Sequence, residues 1–258
     1  MSKTVPHRIK ALECMKKYPE MLHYKGFLEL LSRPKISIVG TRRPNPYTRA
    51  MTLELSKKLS NAGMVIVSGA AAGVDALAHE GAGVGNTIAV LPTGIEVRYP
   101  KANDKLIESI EKKGLTLSQF ENDFMAREWS FVVRNEIVVA LGEVLIVTEA
   151  DRGSGSMRSV EYALEMGKQI YVLPHRIRES EGTHRLLAQG RAIAIEEMDA
   201  FVAHITKSAM NTIHDTPFLA FCRTMPTYEE GIAKFPSEIF EAELSGIIEV
   251  RNGRVSVI

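Results

Sequence analysis

Ile36-Ser37-Ile38-Val39-Gly40-Thr41-Arg42-Arg43-Pro44 decides how the rest of the chain is read. A short β-rich run ends in Gly and Thr, two guanidinium groups follow, and after Pro44 and Pro46 a helical pattern begins. In an open α/β sheet, ligands gather beyond the carboxyl ends of the strands, where loops hand over to helices. Free backbone N–H groups and the positive end of the helix dipole draw phosphate to that edge. Arginines placed there add bidentate phosphate donors. The stretch predicts a strand, an anion-binding loop and a helix.

The same unit repeats outward from it. Candidate strands are Ile36–Val39, Met64–Ser68, Thr87–Leu91, Leu115–Phe120, Val144–Thr148 and Gln169–Leu173. Candidate helices fill the gaps at Pro46–Asn61, Val74–Glu80, Asn103–Lys113, Phe131–Ala140 and Gly155–Met166. The strand runs are nearly continuous in apolar residues, as parallel strands buried on both faces require. Alternation of this kind predicts an α/β fold: an extended Rossmann-like, doubly wound, mostly parallel sheet. Gly63, Gly114, Gly142 and Gly167 fall where helices should end, in keeping with the glycine preference just past a helix.

On either side of this unit the pattern differs. Residues 1 to 34 read as an N-terminal helical extension, with Leu12, Met15, Leu22, Phe27, Leu30 and Leu31 as packing residues. The Rossmann-like unit occupies 35–208. Beyond it, Thr227-Tyr228-Glu229-Glu230 reads as a capping box and Pro236 as the first turn of a helix. Ile247 to Val257 reads as a hairpin around Asn252-Gly253. Residues 215–258 thus form a small winged-helix-like C-terminal module. They carry seven acidic and four basic side chains, and Glu238, Glu241 and Glu243 crowd the last helix. Phosphate repulsion argues against duplex binding by that face, so protein docking or intramolecular packing is its expected role.

Composition narrows the function classes. The 258 residues are 45% hydrophobic and 24% charged with a net charge of +1, ordinary for a globular protein. Nucleic-acid binding would therefore need a local basic patch rather than bulk charge. Cys14 and Cys222 have no metal or redox spacing and are expected to be reduced, buried thiols. The N-terminus lacks the apolar block of a signal peptide, and no apolar run reaches membrane-spanning length. A cytoplasmic location is expected.

Four loops should meet at one sheet edge. They are Gly40-Thr41-Arg42-Arg43; Ser68-Gly69-Ala70-Ala71-Ala72-Gly73-Val74-Asp75; Pro92-Thr93-Gly94 with Arg98, Tyr99 and Lys101; and Glu149 to Arg158, containing Gly153-Ser154-Gly155-Ser156. Their small residues permit close backbone approach. A dinucleotide cofactor would call for G-x-G-x-x-G and a following acidic residue, and a P-loop for G-x-x-x-x-G-K-[ST]; neither is present. No cofactor is expected. His79, His175, His184 and His204 lack metal-ligand spacing, and no metal is expected. Glu149, Asp151 and Glu161 could serve as paired carboxylates in glycosidic cleavage, or could cap helices and answer their dipoles. No catalytic constellation emerges. A phosphate-binding edge without chemistry suits a polymer, and single strands are held by a basic groove with aromatic faces for stacking. Arg127, Trp129, Phe131, Arg134 and Asn135 supply both characters, with Trp129 readable either as core or as a stacking face.

Ser37 to Arg43, Ser68 to His79, Phe131 to Val138 and Gly153 to Ser156, in this order and spacing, resemble the DNA processing protein A family, also called Smf, over about residues 25 to 205. The short form is similar to that of epsilonproteobacteria. The resemblance implies a non-enzymatic protein that binds and protects incoming single-stranded DNA during natural transformation, dimerises through its Rossmann domain and helps load the recombinase RecA. It implies a DNA pocket using Arg42 and Phe131. Relatives often carry Lys three residues before that Phe, where this chain has Glu128 beside Arg127. The expected DNA-binding residues are Gly40, Thr41, Arg42, Arg43, Ser68, Gly69, Gly73, Arg127, Phe131, Arg134, Asn135, Gly153, Ser154, Gly155 and Ser156. Two other readings remain open. One is a nucleotide phosphoribohydrolase of the lysine decarboxylase-like Rossmann group, whose Pro-Gly-Gly start is absent from Asp151 to Ser159. The other is a pure RecA scaffold with a vestigial basic edge.

Overall fold

A computed structural model describes residues 3–213, 217–222, 224–244, 248–251 and 253–257. It divides into two compact units, Met1–Thr206 and Lys207–Ile258. The first unit holds β1 (Lys3–Thr4), β2 (His23–Gly26), β3 (Lys35–Val39), α1 (Pro46–Asn61), β4 (Val65–Ser68), α2 (Val74–Ala82), β5 (Thr87–Val90) and α3 (Asp104–Lys113). It continues with β6 (Leu115–Ser118), α4 (Glu128–Leu141), β7 (Leu145–Val147), α5 (Gly155–Glu165), β8 (Ile170–Val172), α6 (Glu181–Ala188) and β9 (Ile193–Ala194). Helix α7 comprises Met198–Ile213.

The strands form one sheet in the order β1-β2-β6-β5-β4-β3-β7-β8-β9. Every pairing from β6 across to β9 is parallel, while β1–β2 and β2–β6 are antiparallel. The expected doubly wound, mostly parallel sheet is therefore what forms. Both faces are covered: Val65, Val67, Ile88 and Val90 join the cluster under α4 and α5, and Ile36, Ile38 and Ile66 of the other parity are also fully buried. The chain winds from β3 through β4 and β5 to β6, then returns along α4 to β7 on the other side of β3. That reversal opens a crevice beyond the carboxyl ends of β3, β4 and β7.

The N-terminal segment is not the helical extension that the amphipathic pattern predicts. It contains two 3-10 turns, Lys10–Cys14 between β1 and β2 and Leu28–Leu31 between β2 and β3. Pro6, Pro19 and Gly26 cut the segment into pieces too short for a stable helix. Antiparallel pairing of His23–Gly26 with β6 covers a sheet edge that would otherwise present unpaired backbone groups. The packing residues hold for Leu12, Met15, Leu22, Leu30 and Leu31, but Phe27 is 47% exposed. Cys14 likewise lies on the surface, Cys222 being the buried thiol. Of the helix-ending glycines, Gly63 and Gly167 take positive φ.

The second unit comprises α8 (Pro217–Cys222), α9 (Tyr228–Lys234), α10 (Pro236–Leu244) and the hairpin β10 (Ile248–Arg251) with β11 (Arg254–Val257). The expected capping box is present: Glu230 N donates to Thr227 Oγ1 and Thr227 N to Glu230 Oε2. Phe218, Cys222, Ile239, Ala242, Ile248 and Val255 form its core. Asn252 of the expected turn lies outside the described residues, and Gly253 has φ 73°. No helix among the described residues is long and apolar enough to cross a membrane.

Candidate nucleic-acid interface

The loop after β3 is tied to its neighbours by its backbone. Thr41 N donates to Glu149 O at 2.8 Å and Val74 N to Thr41 O at 3.1 Å. Asn45 caps α1, accepting from Thr48 N at 2.8 Å, while Glu149 Oε2 accepts from Asn45 N at 3.1 Å. Glu149 is thus engaged in holding two loops together, and Glu161 pairs with Arg158 at 2.7 Å. Their capping and structural roles, rather than paired acid–base work, match this geometry.

From this anchored loop the Arg42 side chain reaches out. Its guanidinium carbon sits 5.0 Å from the centroid of the Phe131 ring, a cation–π geometry. Phe131 in turn meets Tyr99 edge-on at 5.7 Å. Arginine, phenylalanine and tyrosine form a continuous cationic and aromatic lip. Tyr99 belongs to the third loop, yet no spacing in the sequence marks it out as a partner of Phe131.

Below the lip lies a cavity of ≈ 370 Å³. Gly40, Thr41 and Arg42 line it from β3, Gly69 from β4, Phe131, Arg134 and Asn135 from α4, and Ser154, Gly155 and Ser156 from the start of α5. Asn135 Nδ2 reaches Gly155 O at 3.5 Å. Ser154 stands at the N-cap of α5, its Oγ without a hydrogen-bond partner among the described residues. Three of the four glycine loops and α4 therefore converge on one cleft.

The remaining expected residues sit around it. Arg43 is exposed, its N–H donating to Thr41 Oγ1. Ser68 is fully buried and donates to Ile38 O at 2.7 Å, so it fastens β4 to β3. Gly73 begins α2 at φ 80° against the carbonyls of Thr41 and Arg42. Gly153 lines a neighbouring groove of ≈ 500 Å³ with Arg152 and Arg185. Arg127 lies 5.9 Å over the Phe124 ring, away from Phe131. Trp129 is half exposed and packs on Phe120 and Phe124. It is therefore neither core nor part of the Phe131 lip.

Arg134 has a role different from that of Arg42. It is only 3% exposed, and its Nη1 donates to Gly69 O and to Val90 O, the latter at 2.7 Å. Its Nε donates to Asn135 Oδ1 at 3.1 Å. Burial pushes its pKa down to about 10, partly opposed by the nearby Asp75 carboxylate, so it stays a cation at neutral pH. Asp75 is buried too, and its carboxyl is driven upward by burial against the pull of Arg134 and the Ala71 N–H. His79 lies deeper, 2.6 Å from Thr87 Oγ1, with its imidazole pKa pushed down to about 3 by burial. Arg134, with the Asp75 carboxyl near enough to feel its charge, is buried under the floor, whereas Arg42 faces solvent at the lip. Among the described residues no group of three or more His, Cys, Asp and Glu side chains could hold a metal ion.

Comparison with known proteins agrees on one family. The model of DNA recombination-mediator protein A matches residues 2–206. DNA processing protein DprA of Streptococcus pneumoniae is 37% identical over 185 residues, covering 70% of this chain and 65% of that protein. Protein Smf of Escherichia coli is 32% identical over 209 residues, 79% of this chain and 55% of that protein. The matched segment thus spans less than two thirds of these relatives. Among solved structures, DNA processing protein A of Helicobacter pylori, described for its single-stranded DNA binding mode, has a TM-score of 0.79 and 41% identity. It covers 81% of this chain and 97% of that one. The Streptococcus pneumoniae structure has a TM-score of 0.73 and 34% identity, covering 79% of this chain and 73% of that one.

Proposed function

Because this chain belongs to the DNA recombination-mediator protein A family, we propose that it binds single-stranded DNA in the Arg42–Phe131 cleft without cutting it. The observation that carries the reading is the exposed Arg42 guanidinium over the Phe131 ring, at the mouth of a cavity floored by glycine loops. In this reading Phe131 and Tyr99 stack bases, Arg42 holds phosphate, and the backbone N–H groups at Gly155 and Ser156 meet a second phosphate at the start of α5. Arg134 positions Gly69 and the β5 end rather than touching DNA. The protein named for single-stranded DNA binding is similar over most of this chain, which supports the assignment. Protection of incoming DNA during transformation, loading of RecA and a homodimer through the Rossmann unit follow from the family resemblance. The protein acts as a binding and handover factor, not as an enzyme.

Fluorescence-anisotropy titration with single-stranded and duplex oligonucleotides at two salt concentrations tests this. Preference for the single strand and steep weakening with salt are expected. Arg42→Ala removes a phosphate contact and the cation over a stacking ring, with a loss of roughly 1–3 kcal/mol, about 5- to 150-fold. Equal affinity of wild type and Arg42→Ala would reject the site. The C-terminal module is assigned to protein docking or intramolecular packing rather than to DNA, since its α10 carries Glu238, Glu241 and Glu243. Removing residues 215–258 should then leave affinity for single strands within about twofold, and a collapse of binding would contradict this role.

A further inference from the structure

The rim does not end at Arg42. Tyr47, the second residue of α1, is 43% exposed and meets the His175 ring edge-on at 5.6 Å and 85°. The His175 side chain is fully buried, and its Nε2 lies 2.7 Å from Thr148 O. The tyrosine ring thus packs against a buried imidazole that is itself within hydrogen-bond distance of a backbone carbonyl.

The loop that supplies His175 is pinned at its far end. Ala150 N donates to Ser180 Oγ at 2.9 Å, Gly182 N donates to Ala150 O at 2.8 Å, and Ser180 takes φ 52°. Between His175 and Ser180 stands Arg176-Ile177-Arg178. Ile177 is 87% exposed, and Arg178 adopts φ 73°. Among the described residues no carboxylate pairs with Arg43, Arg176 or Arg178. The nearby acids are otherwise engaged or turned to partners: Glu149 to Asn45 N, Glu181 to Arg152, and Glu179 4.0 Å from His175 Nδ1. A half-exposed aromatic, unpaired cations and a bare aliphatic tip are thus gathered on one loop edge.

These loops follow β3, β7 and β8, consecutive in the sheet, so the crest from Arg42 to Arg178 spans two strand spacings, about 10 Å. We propose that a single strand leaving the Arg42–Phe131 cleft continues over this crest, where Tyr47 stacks a base and Arg176 and Arg178 hold the flanking phosphates. The inference rests on the single-strand reading of the cleft and extends its footprint to a second subsite.

Oligonucleotide length separates the two. Full-length wild type, Tyr47→Leu and the double variant Arg176→Ala/Arg178→Ala are titrated with oligo-dT of about 6 and about 20 nucleotides, short enough for one OB-sized footprint and long enough to pass beyond it. The ratio of affinity for the longer over the shorter strand should fall about fivefold in both variants, and Tyr47→Phe should restore most of it. The double variant should flatten the salt dependence for the longer strand by about 1.4, two contacts at about 0.7 each. An unchanged length ratio in the double variant, whose residues are on the surface and leave the core intact, would overturn the subsite. So would a loss equal at both lengths. Wild type that ignores both strands would overturn the cleft reading itself, whereas an Arg42→Ala variant weakened at both lengths keeps that reading whatever Tyr47 does.

Discussion

Gly73→Ala tests whether the loop that carries Arg42 depends on its neighbour. Gly73, the residue before α2, has φ 80° and ψ −127°, a region open almost only to glycine, where an L side chain is strained by roughly 1–3 kcal/mol. A Cβ there would also stand 2.5 Å from Thr41 O and 2.6 Å from both C and O of Arg42. These are backbone atoms, about 1 Å inside ordinary contact distance, and they cannot swing aside as a side-chain tip would. Overpacking of this kind costs about 1–3 kcal/mol. The sum, roughly 2–6 kcal/mol, should lower the melting temperature by about 4–24 °C. Gly63→Ala adds a side chain at positive φ without the clash, because Gly63 has φ 88° with nothing within 4 Å of its Cβ position; at roughly 1–2 kcal/mol it should lose about 2–8 °C. Thermal unfolding by circular dichroism reads the difference. Shifting the Thr41–Arg42 carbonyls also breaks the Val74 N to Thr41 O bond and re-aims Arg42. Affinity for single strands should therefore drop by about as much as in Arg42→Ala. If Gly73→Ala melts with Gly63→Ala and binds like wild type, the two loops are not coupled and the cleft geometry is misread.

Two further outcomes follow from the buried charges. Arg134→Met leaves Gly69 O and Val90 O without their donor and Asp75 without its cation, and should cost about 3–5 kcal/mol in urea unfolding; Arg134→Lys should recover part of it, and a near-neutral Arg134→Met would refute the scaffold role. His79, with a folded pKa of about 3 against 6.5 for the free side chain, favours the neutral form in the folded state. Its contribution is complete above about pH 6.5 and is lost as pH falls toward 3, by about 1.4 kcal/mol per unit. Asp75, raised by burial, works in the opposite sense, so the comparison of wild type with His79→Gln between pH 7 and 5 isolates the imidazole. A slope unchanged by the substitution would show that His79 is already protonated or exposed.

How far the sequence carried depended on which residues bury themselves without help. The central strands and α1 to α5 were legible because Val, Ile and Leu runs end at glycine loops, and Pro46–Asn61 forms between the same residues in the structure. The edge was not legible. His23-Tyr24-Lys25-Gly26 has no apolar alternation, and it becomes a strand only because β6 would otherwise lack a partner on that side. Nor did α6 and β9 announce themselves. Their segment is polar and short, and Ile193, the apolar residue at the start of β9, is 46% exposed. The aromatic lip was half legible: Phe131 stands in a motif, but Tyr99 meets it only through the folded return of the third loop.

The arginines make the sharper lesson. Arg42, Arg43, Arg127 and Arg134 look alike as candidate phosphate contacts, yet the fold gives them four different surroundings. Spacing held one clue. Arg134 lies three residues after Phe131 and four before Val138, on the stripe of α4 that faces the sheet, where a charge persists only with partners. Those partners are two carbonyls at the ends of β4 and β5 and the Asp75 carboxylate. The cation inside the floor ties together the ends of β4 and β5, and in the proposed binding mode the exposed cation at the lip is left to meet the polyanion. Exchanging the two roles would fail on energetic grounds: a phosphate drawn to Arg134 would have to displace carbonyls from a side chain only 3% exposed, while Arg42 is exposed and meets only the face of one ring. In the proposed binding mode, recognition therefore begins at Arg42, and Arg134 fixes where the neighbouring loops stand.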